Sequence, residues 1–102
     1  MPAYLLADVA PHDMDAYRAS GYLEAVVALA AEYGGRYLAR GGEMQRLEGD
    51  WQPRRMVIIE FPNMERLRAW YDSEAYAPWR EVRKGLADSR LVAVDGLDSP
   101  PA

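Results

Sequence analysis

The alternation of short strand-like and longer helix-like segments is the feature that most constrains the fold of this chain. Four short apolar segments, at residues 3–10, 35–41, 54–61 and 91–96, are typical of β-strands. Helical patterns separate the first strand from the second and the third from the fourth, whereas an irregular arm through LEGDWQP joins the second and third strands. The sequence therefore predicts the element order β-α-β-β-α-β.

Both helical regions carry a start signal and an internal break. Residues 11–15 hold the proline and aspartates of a helix start, and Gly21 is expected to divide the first region in two. Asn63 can cap the second region, whose first piece should end at Ser73 and whose second piece should cover about residues 76–87. The first and second strands, and likewise the third and fourth, are thus separated by a helical region long enough to cover a sheet.

This element order predicts a ferredoxin-like α+β domain. It consists of one four-stranded antiparallel sheet in the order 4-1-3-2, with both helical regions on one face. A chain of 102 residues fits one domain. We assign residues 1–97 to that domain and residues 98–102 to a disordered C-terminal tail.

A period of two along each strand divides the sheet into two faces. The set predicted to lie beneath the helices is apolar throughout: Leu5, Ala7, Val9, Tyr37, Ala39, Val57, Ile59, Phe61, Val92 and Val94. The opposite set is mixed: Tyr4, Leu6, Asp8, Arg36, Leu38, Arg40, Met56, Ile58, Glu60, Leu91, Ala93 and Asp95. A solvent-facing sheet would carry fewer large apolar side chains than this second set. We therefore expect a second copy of the chain to cover the mixed face, which makes the protein a homodimer.

Composition argues against several classes of partner. Twelve Lys and Arg against sixteen Asp and Glu give a net charge of −4, so there is no basic surplus to neutralise nucleic acid. The longest apolar run, AVVALAA, is too short to cross a bilayer. The chain has no cysteine, which excludes disulfides and thiolate metal sites. We predict a cytoplasmic protein with neither a nucleic-acid nor a membrane partner.

Glu60 is the first candidate for a catalytic residue, because it stands in an apolar strand on the mixed face. It can be a structural ion pair, or a general base whose pKa is raised by an apolar pocket. The second strand runs antiparallel to the third. Depending on a bulge at residues 41–42, we expect Arg36 or Arg40 to contact Glu60.

Asp8 and His12 are the other titratable candidates. In the 4-1-3-2 order we expect the first and third strands to be parallel neighbours, so that Asp8 and Glu60 lie at one end of the sheet and His12 lies in the turn beside them. His12 is then either a second catalytic residue or a solvated helix-start residue. These three side chains could form an oxygen and nitrogen triad, but no H-x-H or H-x-x-E spacing supports it, and we predict no metal site. No nucleotide motif is present either, and no cofactor is predicted.

Aromatic side chains concentrate in the second helical region, and they are either core filling or one wall of a ligand pocket: Trp70, Tyr71, Tyr76 and Trp79. For a protein that binds a small molecule, we predict a pocket between the mixed sheet face and these aromatics. Its polar lining would be Glu60, Asp8, Arg36 and Arg40. Leu6, Ile58 and Tyr71 or Tyr76 would complete the lining.

Several strings resemble a known family: GGRYLARGG, the W-x-P of residues 51–53, VIIEFPNMERLRAWYDSEAY and the closing LVAVDG. Over residues 3–96 the chain resembles the domain-of-unknown-function family DUF1330, of the dimeric α+β barrel superfamily. The resemblance implies a ferredoxin-like fold and a homodimer with facing sheets, but no reaction. Relatives in the wider superfamily include cofactor-free monooxygenases, muconolactone-type isomerases and haem enzymes.

Two classes of function therefore remain. One is an enzyme or binder of a small, apolar, oxygen-bearing organic molecule on the sheet face. The other is a non-catalytic homodimeric structural or interaction module.

Overall fold

The computed structural model describes residues 1–98, so the predicted tail lies outside the described residues except for Asp98. The elements are, in chain order, β1 (Ala3–Pro11), α1 (Met14–Ala19), α2 (Tyr22–Glu32), β2 (Arg36–Arg40), β3 (Met56–Phe61), α3 (Met64–Tyr71), α4 (Ala77–Leu86) and β4 (Ala87–Asp95). The predicted β-α-β-β-α-β order is confirmed, with each helical region split in two. Within residues 1–98, no helix has the length and apolar character needed to cross a membrane.

Local side-chain chemistry accounts for where the helices begin. The carboxylate of Asp13 accepts hydrogen bonds from the backbone N–H groups of Asp15 and Ala16, and the side chain of Asn63 accepts one from the N–H of Arg66. Gly21 has a φ of 81°, a left-handed conformation that suits glycine, and it separates α1 from α2. The predicted cap and the predicted break are both confirmed.

The sheet has the order β2-β3-β1-β4, as predicted, and all neighbouring strands are antiparallel. In the β1–β3 pair, Tyr4 lies opposite Glu60 and Asp8 lies opposite Met56. The expectation that β1 and β3 are parallel is therefore wrong. Because antiparallel neighbours run in opposite directions, Asp8 and Glu60 lie toward opposite ends of the sheet.

The two faces of β1 and β3 are those predicted, but the faces of β4 are reversed. Leu5 and Ala7 lie opposite Ala93 and Leu91, so these β4 residues face the helices. Val92, 61% exposed, lies instead on the open face of the sheet, as does Val94. Over residues 91–94 both alternating sets of β4 are apolar, so the sequence pattern could not decide between them.

A register shift in β2 changes the position of Arg40. The shift lies between Tyr37 and Ala39 and not at residues 41–42 as expected. After it, Ala39 pairs with Ile58 on the open face and Arg40 pairs with Val57 on the helix-covered face. The predicted faces of Ala39 and Arg40 are therefore exchanged.

The core lies between the helix-covered sheet face and the helices. Trp70 stacks on Tyr76 with ring centroids 4.5 Å apart, and Phe61 lies 5.4 Å from Trp70. Tyr17 and Leu67 are also fully buried. The interpretation of Trp70 and Tyr76 as core residues is confirmed. Both residues, and Tyr17, also line an inner cavity that is described below.

Candidate functional site

Glu60 forms the ion pair expected of it, with one of the two arginines considered. Nε of Arg36 donates to Oε1 of Glu60 at 2.7 Å, whereas Arg40 lies on the other face. This hydrogen bond holds the pKa of Glu60 below its ordinary value of 4.5, against a smaller opposing effect of burial, and Tyr4 acts in the same direction as Arg36. The expectation of a raised pKa is wrong. A lowered pKa weakens a carboxylate as a general base at neutral pH.

His12 and Asp8 lie at the other end of the sheet from Glu60, among other polar groups. Nε2 of His12 is 3.1 Å from Oδ1 of Asp88, and Nη2 of Arg54 donates to Oδ2 of Asp88 at 3.4 Å. Oδ1 of Asp8 accepts the backbone N–H groups of Arg54 and Arg55 at 3.1 and 3.0 Å. Asp8 thus fixes the end of the irregular arm, and His12 is on the surface.

An open cleft of about 640 Å³ lies at this end, lined by Asp8, Trp51, Gln52, Arg54, Lys84, Ala87, Asp88, Ser89 and Arg90. Its charged groups are solvated, as the 63% exposure of the Asp88 side chain and the 64% exposure of Arg54 indicate. Within residues 1–98, no three His, Cys, Asp or Glu side chains are grouped so that they could hold a metal ion. The triad of Asp8, His12 and Glu60 does not assemble.

A small inner cavity of about 30 Å³ lies between the sheet and the helices. Nine of its lining residues are apolar: Leu5, Ala7, Val9, Leu23, Val26, Val57, Ile59, Trp70 and Leu91. The other seven are four tyrosines and three arginines: Tyr17, Tyr22, Tyr37, Tyr76, Arg40, Arg55 and Arg83. Apolar walls with a few converging polar groups are the usual character of a small-molecule site.

Arg83 is the most unusual residue of this cavity. It is only 2% exposed, and no carboxylate of residues 1–98 forms an ion pair with it. Its Nη1 donates to the hydroxyl of Ser89, but its Nε has no hydrogen-bond partner within the described chain. Arginine stays protonated in proteins, so a full positive charge is buried here. A buried charge is normally paired, and an unpaired one indicates a functional site.

The tyrosines around Arg83 form a hydrogen-bonding wall. The hydroxyls of Tyr22 and Tyr76 are 2.7 Å apart. Burial raises the pKa of Tyr17 and of Tyr37 to about 12, and it also raises the pKa of Tyr22. These phenols are therefore neutral donors near pH 7, and none of the three can act as a base there. The cavity is suited to bind an oxygen atom that carries or develops negative charge.

The predicted pocket combined residues from both faces of the sheet, and the structure does not bring them together. Leu6 and Ile58 lie on the open face with Glu60. Tyr76 lines the inner cavity on the opposite side, and Tyr71 lies near the β4 side, where its carbonyl oxygen accepts a hydrogen bond from Arg80. Of the predicted site residues, only Tyr76 and Arg40 line the inner cavity.

Sequence reasoning missed Arg83, Arg55 and the inner phenols of Tyr22 and Tyr37. One signal for Arg83 was present. It follows Tyr76 by seven residues and Trp79 by four, a spacing that places all three on one helix face. A charged residue in line with two aromatics on α4 is therefore a candidate for a buried functional group.

Solved structures with the same fold include proteins with and without a known activity. RPA0582 from Rhodopseudomonas palustris, of unknown function, is 21% identical with a TM-score of 0.69, over 96% of this chain and 84% of that one. SnoaB, a cofactor-independent oxygenase from Streptomyces nogalater, is 14% identical with a TM-score of 0.64, over 99% and 98%. A protein of unknown function from Bacteroides thetaiotaomicron is 17% identical with a TM-score of 0.63, over 93% and 97%. Similarity at this level of identity establishes the fold alone.

Sequence comparison identifies the family more directly. No curated protein matches the chain, but the family model described as domain of unknown function (DUF1330) matches residues 2–97. That range includes every strand and helix described above. The chain therefore belongs to the DUF1330 family.

Proposed function

We propose that this protein binds a small, largely apolar, oxygen-bearing organic molecule in the inner cavity, and that any catalysis it performs takes place there. One observation carries this proposal. Arg83 is buried, charged and without a carboxylate partner, in a cavity lined by four tyrosines and nine apolar residues. An unpaired buried charge destabilises a fold, so its presence is best explained by a ligand that supplies the missing partner. The cofactor-independent oxygenase SnoaB has the same fold and gives this proposal a precedent by analogy.

The cavity must widen to accept an organic molecule. Its volume of about 30 Å³ has room for a few waters at most. Tyr37 lines it on β2, an edge strand of the sheet, and is only partly buried, so this side chain can move without exposing the fully buried core. Ligand entry beside Tyr37 leaves the stacked pair Trp70 and Tyr76 in place.

The test makes the cavity smaller by adding one methylene group to a side chain that lines it. We expect Val26→Ile to block ligand binding while the protein stays folded, because Val26 lines the cavity and the added group takes up its small volume. Val27→Ile is the matched control, since Val27 is the next residue, is 37% exposed and does not line the inner cavity. Binding of a panel of small aromatic alcohols, ketones and acids is followed by the fluorescence of the two remaining tryptophans, Trp70 and Trp79, in a Trp51→Phe background.

Equal loss of affinity in both variants, or in neither, would refute this location of the site. Failure of the whole panel to bind the parent protein would remove the small-molecule proposal. Glu60 and His12 keep their predicted catalytic roles only if ligand binding, followed by NMR, shifts the protein resonances of the open face or of the open cleft instead.

We also infer a homodimer formed through the open sheet face. Val92 and Val94 are 61% and 46% exposed there, and Leu6 and Ile58 lie on the neighbouring strands of the same face. Apolar surface of this kind is normally covered. Light scattering tests the inference: the expected mass is twice the 11.5 kDa of one chain, and a persistent monomer at high micromolar concentration would contradict it.

A non-catalytic dimeric module is the second candidate function. The row formed by Arg36, Glu60 and Tyr4 supports it, because an exposed-face ion pair with a lowered carboxylate pKa is suited to positioning a partner sheet. A dimer that binds no member of the ligand panel would favour this alternative. A cytoplasmic location stays a prediction, based on the absence of cysteine.

A further inference from the structure

All charged residues that line the inner cavity are positively charged. These are Arg40, Arg55 and Arg83, and no Asp or Glu of residues 1–98 lines the cavity. The whole chain carries a net charge of −4, so this positive lining runs against the overall balance. Like charges in one cleft raise the local concentration of ligands of the opposite sign.

None of the three arginines is neutralised by the described part of the chain. The ion pairs of residues 1–98 use Arg36, Arg54 and Arg68 among the arginines, and none uses Arg40, Arg55 or Arg83. Arg40 lies over the ring of Tyr37, with its Cζ 5.2 Å from the ring centroid, a contact that leaves its charge uncompensated. A positive charge in excess is therefore available to a ligand.

The three arginines differ in depth. Arg40 is exposed, Arg55 is partly buried and Arg83 is buried. The phenol of Tyr17 is affected by the charges of both Arg55 and Arg83, and that of Tyr37 by those of Arg40 and Arg55. The positive field is thus continuous from the cavity edge to its interior.

We infer that the ligand of the inner cavity is a carboxylate-bearing apolar molecule, drawn in past Arg40 and Arg55 and bound by the unpartnered Nε of Arg83. This inference rests on the proposed function. A guanidinium matches the planar, singly charged carboxylate, and the nine apolar lining residues fit the hydrocarbon part of such a molecule. The buried donors that line the cavity without a hydrogen-bond partner, Nε of Arg83 and Nε1 of Trp70, match the two oxygen atoms of a carboxylate in number, whereas a phosphate brings more charge and more oxygen atoms.

The test uses two ligands of the same shape, benzoate and its uncharged analogue benzamide. Affinities come from calorimetry and from the fluorescence of Trp70 and Trp79 in the Trp51→Phe background. We expect benzoate to bind roughly 10- to 100-fold more tightly than benzamide, the range that corresponds to one charge-assisted hydrogen bond. In Arg83→Gln, this preference should fall to about one. In Arg55→Gln, benzoate binding should weaken and lose part of its salt dependence.

Arg18→Gln is the control for the loss of one positive charge, because Arg18 lies exposed in the last turn of α1 and does not line the cavity. It should leave the preference for benzoate unchanged. If Arg83→Gln does not fold, Arg83→Lys and Arg55→Gln decide the question.

The outcomes separate this inference from the proposed function. Equal affinities for benzoate and benzamide in the parent protein, abolished together by Val26→Ile, would overturn the inference and leave the proposed function intact. Binding of neither ligand, or of any member of the wider panel, would overturn both. A preference for benzoate that survives in Arg83→Gln and in Arg55→Gln would also overturn the inference.

Discussion

Alkaline pH should unfold this protein, because three tyrosines of the inner cavity resist ionisation in the folded state. Burial raises the pKa of Tyr17 and Tyr37 from 10.0 to about 12, and it raises that of Tyr22 as well. A group whose pKa is higher in the folded state than in the unfolded state contributes its full stabilisation of the fold at pH values below its unfolded-state pKa. That contribution is lost as the pH rises from the unfolded pKa through the folded one. The sensitive window is therefore pH 10 to 12.

The magnitude follows from the two pKa values. At pH 11 the unfolded phenols are mostly ionised and the folded ones mostly are not, so each tyrosine lowers the free energy of unfolding by about 1.4 kcal/mol. Three such tyrosines together remove about 4 kcal/mol, which approaches the whole stability of a small domain. Lys84 is the only lysine of the chain, and among the other tyrosines the hydrogen bond to Glu60 raises the pKa of Tyr4, which lies outside the cavity.

The measurement is urea unfolding followed by circular dichroism near pH 8 and pH 11, with tyrosinate absorbance recorded in parallel. In Tyr17→Phe, the loss of stability between these two pH values should be smaller than in the parent by about 1.4 kcal/mol. Tyr33→Phe is the control, because Tyr33 ends α2 outside the inner cavity. If all seven tyrosines ionise near pH 10 while the native dichroism persists, the cavity phenols are not protected and this reasoning is refuted.

Three further predictions follow from other contacts. Val92→Arg, on the open sheet face, should convert the proposed dimer to a monomer in light scattering without loss of helical dichroism. Because Arg36 lowers the pKa of Glu60, the contribution of this pair is present above pH 4.5 and lost as the pH falls through the folded pKa. Glu60→Gln should accordingly differ from the parent in urea unfolding at pH 7 but match it at strongly acidic pH. Tyr76→Phe should cost about 1–3 kcal/mol by leaving the hydroxyl of Tyr22 unpaired, and a cycle with Tyr22→Phe should be non-additive.

The contact of Glu60 with Arg36 could be predicted because it depends only on the direction and the register of two neighbouring strands. Strand β2 follows β1 and α2 in sequence and runs antiparallel to β3, and Arg36 precedes the register shift. The position of Arg40 could not be predicted, because one extra residue between Tyr37 and Ala39 exchanges the two faces of the strand. Glu60, a carboxylate in an apolar strand, indicated a site on the open face of the sheet. The buried guanidinium of Arg83 lies instead on the helix-covered face.

The sequence by itself determined the order and type of the elements, the breaks at Gly21 and Ser73, and the ferredoxin-like sheet order. These follow from local periodicity and from caps that act within a few residues. Only the tertiary structure decided which face of β4 is covered and which charges meet. Both alternating sets of β4 are apolar over residues 91–94, and the surroundings of Arg83 come from Tyr17, Tyr22 and Ser89, on two helices and a strand. Burial without a carboxylate partner is a property of that assembled environment and not of any segment of the chain.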